Sequence, residues 1–82
     1  MYHLYILYSE KTGRFYIGST GHLADRIHRH NSGRSLATKS GEPWSLVWTE
    51  EYPTRKEACR REMEIKSWKS HSRILQLISA SR

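Results

Sequence analysis

An arginine lies on the apolar side of the first helical pattern in the chain. Leu23, Ile27 and His30 recur at i, i+4 and i+7, and Arg26 follows the first of them by three residues. These spacings place all four side chains on one face of a helix. A guanidinium on such a face must meet an anion or reach solvent along its stem. Arg26 is therefore a candidate for binding a phosphate.

A glutamate interrupts the second helical pattern in the same way. Ala58, Glu62 and Ile65 follow the i, i+4, i+7 spacing, so the Glu62 carboxylate shares a face with two apolar side chains. A carboxylate in that position must pair with a cation, bind a metal ion or change its pKa. The simple alternative is an ion pair with Lys66, one helical turn further on.

Two tyrosines lie in short segments with strand character near the start of the chain. The first segment, residues 2–8, contains Tyr5, and the second, residues 14–18, contains Tyr16. A four-residue loop at 9–12 would pair Tyr5 with Tyr16 and put both phenols on one side of the sheet. The sequence therefore predicts that an acid, an arginine and two phenols converge on one cleft.

The elements that must position these side chains alternate between strands and helices. Residues 2–8 are apolar at odd and even positions, which is typical of a central strand covered on both faces. Residues 14–18 and 45–52 are the other two predicted strands. Helices are predicted from Ser19 or Thr20 to about Asn31 with a stop at Gly33, from a capping box at Thr54 and Glu57 to about Lys69, and from 72 to 79 with Ile74, Leu75, Leu77 and Ile78 buried. We expect an α/β (α+β) fold: a small three-stranded antiparallel sheet flanked by helices, in the order ββαβαα.

Length, charge and cysteine content limit the function. The 82 residues suit a single domain, 1–82, and carry a net charge of +6. The stretch 26–41 contains basic residues and no acid, which favours a nucleic-acid partner. Cys59 is the single cysteine, so neither an internal disulfide nor a cysteine zinc knuckle is expected. No targeting segment or membrane span is evident, and we expect a cytoplasmic location without membrane contact.

Several segments together resemble the GIY-YIG endonuclease superfamily, in particular its short stand-alone bacterial branch. That branch is related to the N-terminal nuclease module of excision-repair incision enzymes, which would link the chain to DNA repair. The resemblance rests on His3-Leu4-Tyr5, Tyr16-Ile17-Gly18, Arg26 with His30, Pro43 to Val47, Glu57 to Glu62 and Glu64 to Trp68. The first triplet lacks the family's glycine and isoleucine. The asparagine that many members carry after the glutamate helix is also missing, because Asn31, which comes too early, is the only asparagine.

The resemblance implies a metal-dependent endonuclease that hydrolyses phosphodiester bonds of single- or double-stranded DNA. By this similarity the catalytic residues are Tyr5, Tyr16, Arg26, His30 and Glu62, and Glu62 holds one Mg²⁺ or Mn²⁺ ion. A single carboxylate suffices if water and phosphate complete the coordination shell. Of the two phenols we favour Tyr5 for activating water. His30 either relays the proton or contacts phosphate; the alternative is that it orients Tyr5 through a hydrogen bond.

Contacts to the DNA backbone are expected from the basic residues Arg14, Arg29, Arg34 and Lys39. No organic cofactor is expected. No separate DNA-reading domain fits in this length, so specificity is expected from a protein partner or from residues 32–44. Ser67, Ser70 or His71 would have to replace the missing asparagine. Core packing is the favoured use of Trp44, Trp48 and Trp68, with base stacking as the alternative.

Other function classes fit the residues less well. Glu64-Ile65-Lys66 superficially matches a PD-(D/E)xK nuclease, but no Pro-Asp precedes it and it falls on a helix. His28 and His30 point in different directions on their helix, which excludes an HNH nuclease motif and a zinc site in that segment. Two alternatives stay open: a non-catalytic DNA- or RNA-binding module with a decayed GIY-YIG fold, and a small scaffold that acts through protein contacts.

Overall fold

The computed structural model describes residues 1–32 and 39–80. Its strands are β1 (Tyr2–Ser9), β2 (Arg14–Thr20) and β3 (Trp44–Tyr52), and its α-helices are α1 (Leu23–Asn31), α2 (Arg55–Trp68) and α3 (His71–Ala80), with a 3₁₀ turn at Lys39–Gly41. The predicted order ββαβαα is confirmed. Among the helices described, none is long and apolar enough to cross a membrane.

The first strand lies in the middle of the sheet. The strand order is β2-β1-β3, and β1 is antiparallel to both neighbours. The predicted burial of β1 on both faces is confirmed, because Leu4 and Ile6 pack with α2 and α3 while Tyr5 and Leu7 pack towards α1. A strand with these alternating apolar residues needs a helix layer on each side of the sheet. Functional side chains can therefore reach the sheet from two helix layers, one on each face.

The hairpin between β1 and β2 differs in register from the prediction. Tyr5 lies opposite Gly18, and Tyr16 lies opposite Leu7. The turn closes one residue later than expected because the Gly13 amide donates to the Ser9 carbonyl at 2.7 Å with a positive φ of 71°. The partner of Tyr5 is therefore displaced by two residues. A shift of two preserves the face on which each side chain lies, so Tyr5 and Tyr16 still share one side of the sheet.

The helix boundaries were predicted with mixed success. Helix α1 begins at Leu23 rather than at 19 or 20, because β2 continues to Thr20 and the Thr20 hydroxyl accepts the His22 amide. The predicted cap of α2 is confirmed, since Thr54 Oγ1 accepts from the Glu57 amide at 3.3 Å. The predicted stop at Gly33 lies outside the described residues.

The third helix meets the core along a narrower face than predicted. Ile74 is buried, and Leu77 and Ile78 pack against the core beside it. Leu75 was predicted to be buried but is 46% exposed. The spacing i, i+3, i+4 covers one side of a short helix, and position i+1 turns away from that side.

A cluster of polar side chains fixes α2 against β3. Glu50 accepts hydrogen bonds from Trp48 Nε1, Tyr52 Oη and Arg61 Nε. Burial acts to raise the pKa of Glu50, but the bonds from Arg61, Tyr52 and Trp48 outweigh burial and hold it below its usual value. The guanidiniums of Arg61 and Arg73 also lie over the Trp68 ring, at 5.6 and 4.5 Å from its centroid. These contacts fix the position of the helix that carries Glu62.

Candidate active site at the edge strand

The candidate site lies along β2, which is an edge strand of the sheet. Alternate side chains of this strand point to opposite layers. Tyr16 and Gly18 face α1, whereas Ile17 and Ser19 face α2. Because no further strand covers this edge within the described residues, side chains from both helix layers can meet around it.

The Tyr5 phenol lies directly over Gly18. A Cβ atom added to Gly18 would be 2.5 Å from Tyr5 Oη and 2.6 Å from its Cζ. Tyr5 is only 1% exposed, so its ring has no free space into which to retreat. A residue without a side chain is therefore required after Tyr16-Ile17, and it lets the Tyr5 hydroxyl reach the edge of the sheet.

A buried hydrogen bond joins Tyr5 to α1. Tyr5 Oη is 3.0 Å from His30 Nε2, and His30 is 2% exposed. Burial lowers the pKa of His30, and the nearby charge of Arg26 lowers it further. The imidazole is consequently neutral near pH 7. Its ring also packs against Tyr16 with 4.6 Å between centroids, so His30 orients both phenols. This arrangement favours the orienting role over proton relay.

Electrostatic contacts at Tyr5 bring the predicted acid and arginine into the same site. Burial raises the pKa of Tyr5 well above its usual value, and the charges of Tyr16 and Glu62 act in the same direction. Arg26 lowers the pKa of Tyr5 through its charge and a side-chain hydrogen bond. The three other predicted groups, Tyr16, Arg26 and Glu62, therefore lie within electrostatic range of the Tyr5 hydroxyl. A buried phenol with a raised pKa is a poor base, whereas Tyr16 is only partly buried.

The Glu62 carboxylate is held at both oxygens. Ser19 Oγ donates to Oε1 at 2.7 Å, and Lys66 Nζ donates to Oε2 at 2.6 Å. The ion pair with Lys66, which was the simple alternative for this glutamate, is therefore present. Ser19 was not predicted as a site residue. Strand alternation from Ile17 puts Ser19 on the α2 side, and this signal could have identified it.

The donor set at Glu62 fits a hard cation that needs one protein carboxylate. Within residues 1–32 and 39–80, no cluster of three or more His, Cys, Asp or Glu side chains forms a metal cage. Mg²⁺ is commonly bound by one or two carboxylates, with water and phosphate oxygens filling its other positions. The Lys66 side chain is 52% exposed, and i, i+4 pairs of this kind are worth about 0.3–0.5 kcal/mol. A divalent ion can therefore replace the Lys66 ammonium at Oε2.

The other basic residues predicted to bind DNA are exposed wherever the structure describes them. Arg14 is exposed at the start of β2, and Lys39 is exposed in the 3₁₀ turn. Arg29 is exposed on α1 and lies 3.9 Å from Asp25, a weak surface pair. Arg34 lies outside the described residues.

The residues considered in place of a late asparagine have local partners. Ser67 donates to the Glu64 carbonyl, Ser70 Oγ accepts the Arg73 amide, and the His71 ring packs on Phe15. Asn31 is bonded at both ends of its amide to the backbone of Trp44, at 2.6 and 3.0 Å. It secures the start of β3 to the end of α1. The contacts of Ser67, Ser70, His71 and Asn31 therefore stabilise the fold.

The comparison with known families agrees with this geometry. The family model of the GIY-YIG catalytic domain matches residues 1–74. The chain belongs to the GIY-YIG family. This is a family of nucleases that act on DNA, so the expected family is confirmed.

Relatives of similar size share both sequence and fold with the chain. A UPF0213 protein of Staphylococcus saprophyticus is 40% identical over 70 residues, which is 84% of each chain. A UPF0213 protein of Staphylococcus haemolyticus is 35% identical over 65 residues, covering 78% of this chain and 79% of the relative. The solution NMR structure of a UPF0213 protein from Bacillus halodurans superimposes with a TM-score of 0.62 at 35% identity, covering 98% of this chain and 85% of that one. The expected GIY-YIG-like fold is confirmed.

Replacing Gly18 tests whether Tyr5 depends on the bare backbone beneath it. We expect Gly18→Ala to cost about 1–3 kcal/mol in the free energy of unfolding, as overpacking does in a closed core. Gly21→Ala is the matched control, because the nearest atom there, Tyr2 Cε2, is 3.1 Å from the added Cβ and lies at the end of a side chain that can shift. Urea unfolding measures both variants. Equal stabilities of the two variants would contradict the close approach of Tyr5.

Proposed function

We propose that the protein is an endonuclease that hydrolyses phosphodiester bonds in DNA with one divalent ion, Mg²⁺ or Mn²⁺, held by Glu62. The observation that carries the proposal is the convergence of Glu62, Arg26 and the two phenols at the β2 edge. The ring centroids of Tyr5 and Tyr16 are 6.4 Å apart, and Ser19, which binds Glu62, lines one cavity with Arg26. These groups come from four different elements of the chain. Membership of a nuclease family supports the same conclusion.

Arg26 and Glu62 have different roles at the scissile phosphate. The Arg26 guanidinium binds non-bridging phosphate oxygens and stabilises the negative charge that develops as water attacks phosphorus and the bond to the 3′ oxygen breaks. Ser19 keeps one Glu62 oxygen in a fixed orientation. When bound, the divalent ion supplies Lewis-acid stabilisation and helps to orient the phosphate.

The two tyrosines take different roles. Tyr16 is partly exposed beside the site, and its phenolic oxygen orients the attacking water and takes the proton that this water loses. Tyr5 is buried against His30 and Gly18, and its hydroxyl helps to position the nearby Arg26 guanidinium. This reverses the preference that the sequence alone suggested, because burial removes Tyr5 from the water while leaving Tyr16 accessible.

The exposed basic residues extend the binding surface beyond the scissile phosphate. We propose backbone contacts for Arg14, Arg29 and Lys39, together with Arg34. Each phosphate that a basic side chain neutralises steepens the slope of log affinity against log salt concentration by about 0.7–0.9. Such contacts recognise DNA without regard to sequence. A protein partner would then supply sequence specificity.

Removing the Glu62 carboxylate separates cleavage from binding. With Mg²⁺ or Mn²⁺, we expect Glu62→Gln to reduce cleavage of labelled single- and double-stranded DNA about 10²–10³-fold, the scale seen when one group that stabilises the transition state is lost. Binding in EDTA should be retained. Glu57→Gln is the matched control, because Glu57 is exposed at the start of the same helix. Cleavage by Glu62→Gln at the rate of the control would contradict the proposed metal ligand.

A non-catalytic nucleic-acid-binding module is the second candidate function. The ion pair between Lys66 and Glu62 favours it, because it satisfies the carboxylate without a metal ion. The missing late asparagine favours it as well. Binding of DNA without cleavage under Mg²⁺, Mn²⁺ and every salt concentration tested would select this function over the nuclease.

Phenylalanine replacements test the two tyrosine roles. We expect Tyr16→Phe to lower kcat about 10²-fold without altering the free energy of unfolding. Tyr5→Phe should destabilise the protein by about 1–3 kcal/mol, because it leaves the buried His30 nitrogen without that partner. Its effect on kcat should be smaller than that of Tyr16→Phe. The opposite ranking of the two kcat values would return water activation to Tyr5.

A further inference from the structure

A cavity opens beside the candidate site, at the end of β2 and between α1 and α2. Its volume is 420 Å³. Arg26 and Ser19 line it, so it adjoins the site, but Tyr5, Tyr16 and Glu62 do not. The cavity therefore offers space for a part of the substrate other than the group that reacts.

The cavity is positively charged and has no counter-ion of its own. Two guanidiniums line it, Arg26 from α1 and Arg55 from the start of α2, and His22 lies beside them. Its lining residues, all within the described chain, include neither Asp nor Glu. Among described residues, neither arginine forms an ion pair with a carboxylate. Two guanidiniums that flank one space, neither with a carboxylate partner among the described residues, favour the binding of an anion with several oxygens.

The size and walls of the cavity indicate more than a simple anion. Cavities that bind organic ligands are commonly about 300–1,000 Å³, and this one falls in that range. One wall is aromatic: Tyr2 packs so closely over Gly21 that a Cβ there would lie 3.1 Å from Tyr2 Cε2. Aromatic rings near basic side chains stack the bases of single-stranded nucleic acid.

We propose that this cavity is a subsite for the nucleotide next to the cleaved bond. Its phosphate binds between Arg26 and Arg55, and its base packs on the Tyr2 ring. The inference rests on the proposed function, because Arg26 is taken to contact the scissile phosphate as well. Arg55 and Tyr2 become binding residues that neither the catalytic set nor the predicted basic surface includes.

Binding of a fluorescent single-stranded deoxyoligonucleotide tests the role of Arg55. Anisotropy is measured in EDTA over a series of KCl concentrations. We expect Arg55→Gln to weaken binding about tenfold and to reduce the log–log salt slope by about 0.7, the loss of one phosphate contact. Arg60→Gln is the matched control, since Arg60 is exposed on the same helix and does not line the cavity. Equal effects of the two substitutions would overturn the subsite.

A mononucleotide tests whether the cavity accepts a base. NMR amide shifts at Gly21 and His22 are followed on addition of thymidine 5′-monophosphate, thymidine or inorganic phosphate. We expect the monophosphate to bind most tightly, and Tyr2→Ala to remove its advantage over inorganic phosphate. Equal binding of monophosphate and phosphate by the unmodified protein would overturn the nucleotide assignment.

These measurements do not depend on catalysis, so the two proposals can fail separately. If Arg55→Gln loses oligonucleotide affinity and the unmodified protein cleaves DNA with neither Mg²⁺ nor Mn²⁺, the subsite is supported and the nuclease is overturned. Metal-dependent cleavage with equal binding by Arg55→Gln and Arg60→Gln supports the nuclease and overturns the subsite.

Discussion

The close approach of the Tyr5 ring to the Gly18 backbone is the constraint on which the candidate site depends. The phenol starts on the central strand and must cross the edge strand to reach the functional groups, and any side chain at position 18 would occupy its path. Once it lies there, His30 holds it from α1, and the positive charge of Arg26 acts on its oxygen. The second glycine of the family signature thus has a packing explanation in this chain that does not involve substrate.

The edge strand brings together chemistry from the two faces of the sheet. Adjacent positions of β2 serve opposite layers: Gly18 admits Tyr5 from one side, and Ser19 binds the Glu62 carboxylate on the other. A central strand could not do this, because its neighbours would separate the layers. The polar bonds of Glu50 to Arg61 fix α2 at the height that lets Glu62 meet Ser19. Distant parts of the fold therefore set the geometry of the site.

Helical periodicity predicted the parts of the site that depend on one element at a time. Both polar residues on apolar stripes were located this way, and Glu62 proved partly buried beside the fully buried Ala58 and Ile65. The features that this periodicity did not predict depend on contacts between elements. Ser19 became visible only with the position of α2, and the ranking of Tyr5 and Tyr16 required knowing which ring α1 covers.

Local turn chemistry explains the remaining differences from the sequence prediction. The left-handed Gly13 closes the hairpin one residue later than expected, and Thr20 continues a strand instead of capping a helix. Both alternatives were compatible with the residue types present, because Ser, Thr and Gly serve caps and turns equally well. The predicted register was wrong by two residues, but Tyr5 and Tyr16 were still placed on the same side of the sheet, since strand faces repeat with a period of two.

Paramagnetic broadening by Mn²⁺ tests the central claim, that the Glu62 carboxylate at the β2 edge is a metal-binding group. In ¹⁵N-labelled protein, substoichiometric Mn²⁺ should broaden the amide signals of Ser19, Cys59 and Lys66 first, and Glu62→Gln should abolish that selectivity. Broadening centred on another carboxylate, such as Asp25 or Glu51, and unchanged by Glu62→Gln, would contradict the account.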